Sequence, residues 1–333
     1  MRGVVAQRYG GPEVLELVDR YEPVVDARDV LIEVRAASLN PLDFKVRDGK
    51  TKLVIPLKPP IALGCDVAGV VSAAGGEVTK FKVGDEVFAR LEKLRMGGLS
   101  ERVTAHEDVV AKKPQRASFV EAAAVPLAGL TSLQALRESA ALEAGQRVLI
   151  HAGAGGVGSL AIQIAKILGL HVTTTTSTKN VDFVRSLGAD DVIDYTKEKL
   201  TDRARDLDAV FDTLGTTELE SLAVVKRDGV VVGIGGLPDE AFAKQWLPWW
   251  TQPAIWAMTA KRRRTAAKHG VRFVYLFMRP DGSELAELAR WIDDGKLRPI
   301  VHKTYPLAEF REAFAELERG HARGKIVVTM PEA

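Results

Sequence analysis

One stretch limits the possible folds of this chain more than any other: HAGAGGVGSLAIQIAK, His151 to Lys166. Gly153, Gly155 and Gly158 stand in it at G-x-G-x-x-G spacing. The run RVLI ahead of them reads as a short buried strand. SLAIQIAKILG behind them carries apolar residues at helical spacing. A glycine loop between strand and helix has a specific use. One glycine makes the tight turn, one lets a pyrophosphate approach the backbone, and one lets helix and strand pack closely. The helix N-terminus adds free N–H groups and the positive end of a dipole. The spacing alone is a weak signal and gains force from what surrounds it.

What surrounds it is regular. After Ser118 the alanine- and leucine-rich segment FVEAAAVPLAGLTSLQALRES has helical spacing, and strands then alternate with helices through Gly236. That order predicts an α/β fold, a doubly wound parallel sheet with helices on both faces. The residues before Lys113 read differently. VLIEVRAASL, GVVSAAG, DEVFARL and SERVTAHEDVVAK alternate with period two, and GGP, DGK, AGGE and VGDE supply turns between them. A second, β-rich domain is expected there. VRFVYLF, Val271 to Phe277, reads as an apolar edge strand. The segment from Leu237 to Met258 holds four of the five tryptophans, is broken by Pro248 and Pro253, and reads as buried or interface-lining. The basic run KRRRTAAKHG reads as a solvated helix face.

Composition excludes several classes. A length of 333 residues suits two domains. A net charge of +2 is too small to call for a nucleic-acid partner. No apolar run reaches membrane-spanning length, and MRGVVAQRYGGPEVLELV lacks the order of a signal peptide. The single cysteine, Cys65, forms no internal disulfide and no multi-cysteine metal site; it points to a reducing, cytoplasmic setting. The six histidines are scattered and read as structural.

The cofactor can be narrowed from the second strand. An NAD site places Asp or Glu at that strand's end, about twenty residues past the glycines, to hold the ribose 2′-hydroxyl. This chain has Thr173 to Thr176, then Ser177 and Lys179. Without a carboxylate to repel it, a 2′-phosphate meets hydroxyls and an ammonium, so NADPH is expected, with Thr175, Ser177 and Lys179 near the phosphate.

Taken in order, AASLNPLDFKVRDG, LGCDVAGVVSAAGGEVTKFKVGDEVFA, GGLSERVTAHED, AAAVPLAGLTSLQAL, AGAGGVG, SLGADDVIDY, VFDTLG and ARGKIVV resemble the medium-chain dehydrogenase/reductase superfamily, in its zinc-independent quinone oxidoreductase and enone reductase branch. The resemblance implies a GroES-like substrate domain from residues 1–122 with 280–333, and a Rossmann NADPH-binding domain from 123–279. It implies Asn40 and Thr131 near the nicotinamide; Asp43 and Lys45 share the Asn40 loop, and Lys45 reads as a donor to a substrate oxygen. The cofactor's other contacts would be Gly153, Gly155, Gly156, Val157 and Gly158 in the loop, Tyr195, Leu214, Gly235 and Gly236 at later strand ends, and Lys325 in the tail. Zinc-dependent members place a metal-binding cysteine near Asn40 and a His-Glu pair where this chain has Cys65 and Asp66, and one thiolate cannot build such sites. No functional metal is therefore expected. The implied reaction is hydride transfer to a quinone or α,β-unsaturated carbonyl, with a homodimer as the working form; the tryptophan segment departs from the family's pattern, and its Trp249 and Trp250 read as aromatic surface against the substrate. The alternative from another class is an NADPH-binding regulatory or structural protein, crystallin-like, with little turnover.

Overall fold

A computed structural model describes residues 1–331. The chain divides into two compact units, Met1–Leu130 with the residues from Arg279 onward, and Thr131–Met278. The first division therefore falls after Leu130, where the sequence pattern put it after residue 122. The helix Phe119–Ala123 buries Ala122 and Ala123 against the strands of the first unit, so the alanine-rich segment stays with that unit.

The first unit is built on strands β1 (Arg2–Ala6), β2 (Leu15–Asp19), β3 (Asp29–Ser38), β4 (Ile61–Ala62), β5 (Asp66–Ala74), β6 (Glu86–Arg90), β7 (Arg102–His106) and β8 (Val110–Lys112). Of these, β2, β1 and β4 form a small sheet, while β3, β5, β6 and β8 run side by side in a larger one, with β7 on β3. The distant C-terminal strand of the chain joins the larger sheet. It pairs antiparallel with β3 through Val327 opposite Ser38 and Thr329 opposite Ala36. That pairing makes the β-rich unit from both ends of the chain. It also brings Lys325 to the end of β3, where Asn40 and the helix Pro41–Arg47 begin.

The second unit holds β9 (Arg147–Ile150), β10 (His171–Thr176), β11 (Asp191–Asp194), β12 (Leu207–Asp212), β13 (Val225–Gly233) and β14 (Arg272–Tyr275). Their spatial order is β11-β10-β9-β12-β13-β14, and every pairing is parallel. That is the 3-2-1-4-5-6 order of a dinucleotide-binding sheet, whose direction of winding reverses between β9 and β12. In such sheets a ligand sits beyond the carboxyl ends of the strands at the reversal. On one side of the sheet Leu149, Val210, Leu222, Val231 and Val271 form a dry core. The strand β14 is the outer edge, as VRFVYLF predicted.

Candidate functional site

The loop at the reversal point requires its glycines sterically. A Cβ on Gly158 would lie 2.3 Å from the Ala152 carbonyl oxygen and 2.8 Å from Gly153 Cα, both backbone atoms that cannot swing away. A Cβ on Gly153 would lie 2.2 Å from Thr174 Oγ1, a hydroxyl committed to the Ile150 carbonyl at 2.7 Å. Gly155 caps the helix Gly156–Ile167, and no side chain bonds to the first N–H groups of that helix. A loop of this shape ending on uncapped helix N–H groups, Gly156 and Val157 among its first residues, fits a pyrophosphate. The loop thus fits the pyrophosphate of a dinucleotide such as NADPH by its fold as well as by its spacing.

Below the loop lies a polar chain that the sequence did not reveal. His151 is buried, with Nδ1 3.1 Å from Thr175 Oγ1 and Nε2 3.1 Å from Ser221 Oγ. Burial lowers its pKa, against the opposing charge of Asp212, and a neutral ring suits two hydroxyl partners. Thr175 also accepts from Ala152 N at 3.2 Å, so its hydroxyl braces the loop from beneath. This was expected to be a phosphate contact; the structure gives it a buried supporting place. Ser177 and Lys179 follow the end of β10, Ser177 half-buried and Lys179 exposed. Tyr195 is 64% exposed and ties its N–H to the Thr176 carbonyl at 3.1 Å, so it stands beside them. Asp194, at the end of β11, accepts from the hydroxyls of Thr178 and Thr196, which hold its pKa down at about 2.

Two further loops close on each other past β12 and β13. Asp212 Oδ1 accepts from Leu214 N and Gly215 N at 2.9 and 3.0 Å, which turns the chain back and leaves Leu214 outward. Gly215 and Gly236 have φ of +73° and +72°, and a Cβ on Gly215 would sit 2.2 Å from Gly236 N. Gly235 packs on the Leu214 carbonyl in the same contact. Beyond them, the basic run expected to be a solvated face sends one side chain inward. Arg262 is 5% exposed, bonds the carbonyls of Leu237 and Pro238 at 2.6 and 2.8 Å, and pairs with Glu218 at 3.1 Å. No apolar periodicity in KRRRTAAKH marks that residue out.

The tryptophan segment departs from its buried reading. Trp249, Trp250 and Trp256 are 80, 60 and 58% exposed. Pro248 and Pro253 cut the segment into short turns and helices, and neither Trp249–Thr251 nor Gln252–Met258 contains a buried residue. Trp246 alone packs inward, edge-on to Phe277 at 5.4 Å.

In the first unit the candidate residues gather in one buried cluster. Asn40 caps the helix Pro41–Arg47, and its amide donates to Asp66 Oδ2 at 2.9 Å while its Oδ1 accepts from the Lys325 ammonium. Lys325 also bonds the Leu39 carbonyl at 2.8 Å and lies 3.7 Å from Asp66. Asn40 and Lys325, expected to face the cofactor, are therefore occupied with each other inside the domain. Asp43 accepts from Asn40 N at 2.7 Å and Gly64 N at 3.2 Å, and burial pushes its carboxyl up to about 7. Burial, with Asp43 and Asp66 nearby, raises Cys65 well above an ordinary thiol. Lys45 stands on the helix Pro41–Arg47 with its side chain exposed overall, and partial desolvation of its ammonium, then the charge of Lys50, lower its pKa. Thr131 opens the second unit, buried in the helix Pro126–Gln134.

Asn40, Cys65 and Asp66 hold the positions where zinc-dependent relatives keep ligands, and they do not fit the metal. The thiol stays protonated, the amide is neutral, and the cation among them is an ammonium. Among the described residues no three His, Cys, Asp or Glu side chains converge to hold an ion.

Known proteins share this fold. The profile of the alcohol dehydrogenase GroES-like domain matches residues 26–115, and that of the zinc-binding dehydrogenases residues 187–328. A chloroplast envelope quinone oxidoreductase homolog of Arabidopsis thaliana is 35% identical over 331 residues, covering 96% of this chain and 95% of that protein. A chloroplastic NADPH-dependent alkenal/one oxidoreductase of the same plant is 37% identical over 339 residues, covering 98% of this chain and 79% of that protein. The solved quinone oxidoreductase of Coxiella burnetii superposes with a TM-score of 0.85 at 35% identity, over 99% of both chains.

Proposed function

The chain belongs to the medium-chain dehydrogenase/reductase superfamily, and on that premise we propose an NADPH-dependent oxidoreductase that passes a hydride to a quinone or an α,β-unsaturated carbonyl. The observation that carries this reading is the loop Gly153–Gly158, whose two tightest glycines touch backbone and strand and whose helix is left uncapped. Bound there, NADPH supplies the hydride, and negative charge develops on the acceptor's carbonyl oxygen. The chain's own task is to hold the partners and meet that charge. Ser177, Lys179 and Tyr195 supply hydroxyls and a cation toward the adenosine 2′-phosphate. Lys45 is the donor we assign to the acceptor oxygen; a lowered pKa lets an ammonium give up its proton more readily at neutral pH. Asn40 and Lys325 act from behind, fixing the start of the helix that carries Lys45. Thr131 is assigned to the nicotinamide end. The exposed rings of Trp249 and Trp250 offer aromatic surface to a flat acceptor.

The reaction we propose is independent of zinc, because a neutral amide and a protonated thiol stand where the zinc-dependent pattern needs ligands, with the Lys325 ammonium bonded to the amide. An acceptor already electrophilic by conjugation suits a site without a Lewis acid. We also propose a homodimer joined along β14, the outer strand of the parallel sheet, which carries Phe273, Val274 and Tyr275. A buried, protonated thiol fits a reducing compartment, and we place the protein in the cytoplasm. Among the described residues no helix is long and apolar enough to cross a membrane.

The test mixes purified protein and NADPH with quinones, enones, simple aldehydes and plain aliphatic ketones, following nicotinamide absorbance. Turnover of quinones or enones is expected. A plain aliphatic ketone or aldehyde outperforming every conjugated acceptor refutes the substrate class, and NADPH binding without any turnover favours the regulatory alternative.

A further inference from the structure

We propose that Arg262 and Glu218 are positioning residues for the cofactor, a buried latch that sets the loop Gly235–Pro238 against the loop Leu214–Gly215. The inference rests on the reading that these loops hold NADPH. Several contacts converge on it. The two loops meet glycine to glycine, with no side chain between Gly215 and Gly236 to fix their separation. Backbone contact of that kind leaves each loop free to slide unless something else holds it. Arg262 is that restraint. One guanidinium nitrogen bonds the Leu237 carbonyl at 2.6 Å and both oxygens of Glu218 at 3.1 and 3.2 Å, and another bonds the Pro238 carbonyl at 2.8 Å. Glu218 begins the helix that follows the Leu214–Gly215 loop, and its Oε1 lies 2.7 Å from where a Cβ on Gly236 would be. One planar cation thus ties the loop after β13 to the helix after β12.

The latch is itself held in place. The guanidinium lies over the Phe273 ring at 3.9 Å, so β14 backs it and limits its rotamers. The far end of the loop is pinned separately, where Asp239 accepts from Phe242 N at 2.7 Å and Tyr275 N at 2.8 Å. The near end is pinned by Ile234 N on the Asp212 carbonyl at 3.2 Å. Between those pins, the carbonyls of Leu237 and Pro238 are held by Arg262. The same helix carries Ser221, which supports His151 under the first glycine loop. Residues Glu218–Val224 therefore brace the loops after β9 and β13 from one short element. A buried ion pair is poor evidence of stabilisation by itself, since desolvation offsets the attraction. Its geometry here, with two backbone carbonyls in the fork, is that of a positioning device.

The experiment compares R262M, R262K and the double variant R262M/E218M with the wild type, reading NADPH Kd by fluorescence titration, kcat at saturating NADPH, and melting temperature. R262M should weaken NADPH binding about tenfold or more and lower the melting temperature, because it strands the Glu218 carboxylate. The double variant removes that stranded charge, so its melting temperature should recover while its Kd stays raised. R262K should fall between, since an ammonium can hold one carbonyl but not the fork. A folded R262M that binds NADPH within twofold of the wild type overturns the proposal. So does a double variant whose Kd recovers in step with its melting temperature. If R262M does not fold, the double variant carries the test on the same two readouts. Failure of the wild type to bind NADPH overturns the cofactor reading and this inference with it; wild-type binding with unaffected variants overturns this inference alone.

Discussion

Replacing Asp43 with Asn should make the protein less sensitive to rising pH. Asp43 is 0% exposed, and burial pushes its carboxyl from 3.8 to about 7. The N–H of Asn40 opposes that rise, the charge of Asp66 adds to it, and Lys325 and the N–H of Gly64 oppose it further. The folded value lies above the unfolded one. Between about pH 4 and pH 7 the unfolded chain has released this proton and the folded chain has not, so stability falls as the pH climbs. At 1.36 kcal/mol for each tenfold step, a gap of about three on the pH scale costs on the order of 4 kcal/mol once both states are ionised. Asn cannot ionise. It keeps one acceptor, enough for the 2.7 Å bond from Asn40 N, and leaves Gly64 N without its 3.2 Å partner. That loss costs about 1 kcal/mol at every pH. From pH 5 to pH 8 the difference in unfolding free energy should therefore swing by about 3 kcal/mol in favour of Asp43→Asn. Urea midpoints for both proteins across that range measure it. An infrared carbonyl band of a protonated carboxyl, lost in the variant, identifies the group. Parallel stability curves from pH 5 to pH 8 would show a carboxylate already ionised beside Lys325, and would refute the reasoning.

Gly158→Ala places a Cβ 2.3 Å from the Ala152 carbonyl oxygen, and NADPH binding should fall by about a hundredfold or more while far-ultraviolet dichroism stays native. The wild type should prefer NADPH to NADH by about tenfold or more, since a charge-assisted contact to phosphate contributes roughly 1.5–3 kcal/mol. Lys179→Ala should narrow that preference, and tighter binding of NADH by the wild type in titration would contradict it. Trp249→Ala or Trp250→Ala should raise KM for a quinone more than it lowers kcat, because ring contacts bind ground and transition states alike; equal losses in both constants would count against it. Light scattering at micromolar concentration should report a dimer, and a monomer would remove the role given to β14.

Much of the architecture was legible along the chain because it depends on local pattern. The alternation of strand and helix, the steric need for Gly158 against Ala152 and Gly153, and the acid-free run from Thr173 to Ser177 are properties of neighbouring residues. Local chemistry limits them, so spacing reveals them. The edge position of Val271–Phe277 followed in the same way, from a short apolar run with nothing to pair beyond it. Tertiary structure decided the rest, and it decided mostly by satisfying buried charge. Lys325 reads as a tail residue on its way to a cofactor, yet the pairing of the last strand with β3 carries its ammonium into Asn40, some 285 residues away in sequence. Arg262 sits in the basic run Lys261 to Arg264, where its like neighbours Arg263 and Arg264 differ from it only in the face of the helix they occupy, and burial beside Glu218 distinguishes it from them. His151, one of six scattered histidines, acquires a role only when β10 and the helix Glu218–Val224 bring Thr175 and Ser221 to its two nitrogens. Trp249 and Trp250 have the composition of a core and lie in solvent, because two prolines break the helix that would have buried them. Periodicity reports which side of an element is apolar; which polar group meets which across the fold depends on contacts between residues far apart in the chain, and no local pattern encodes them.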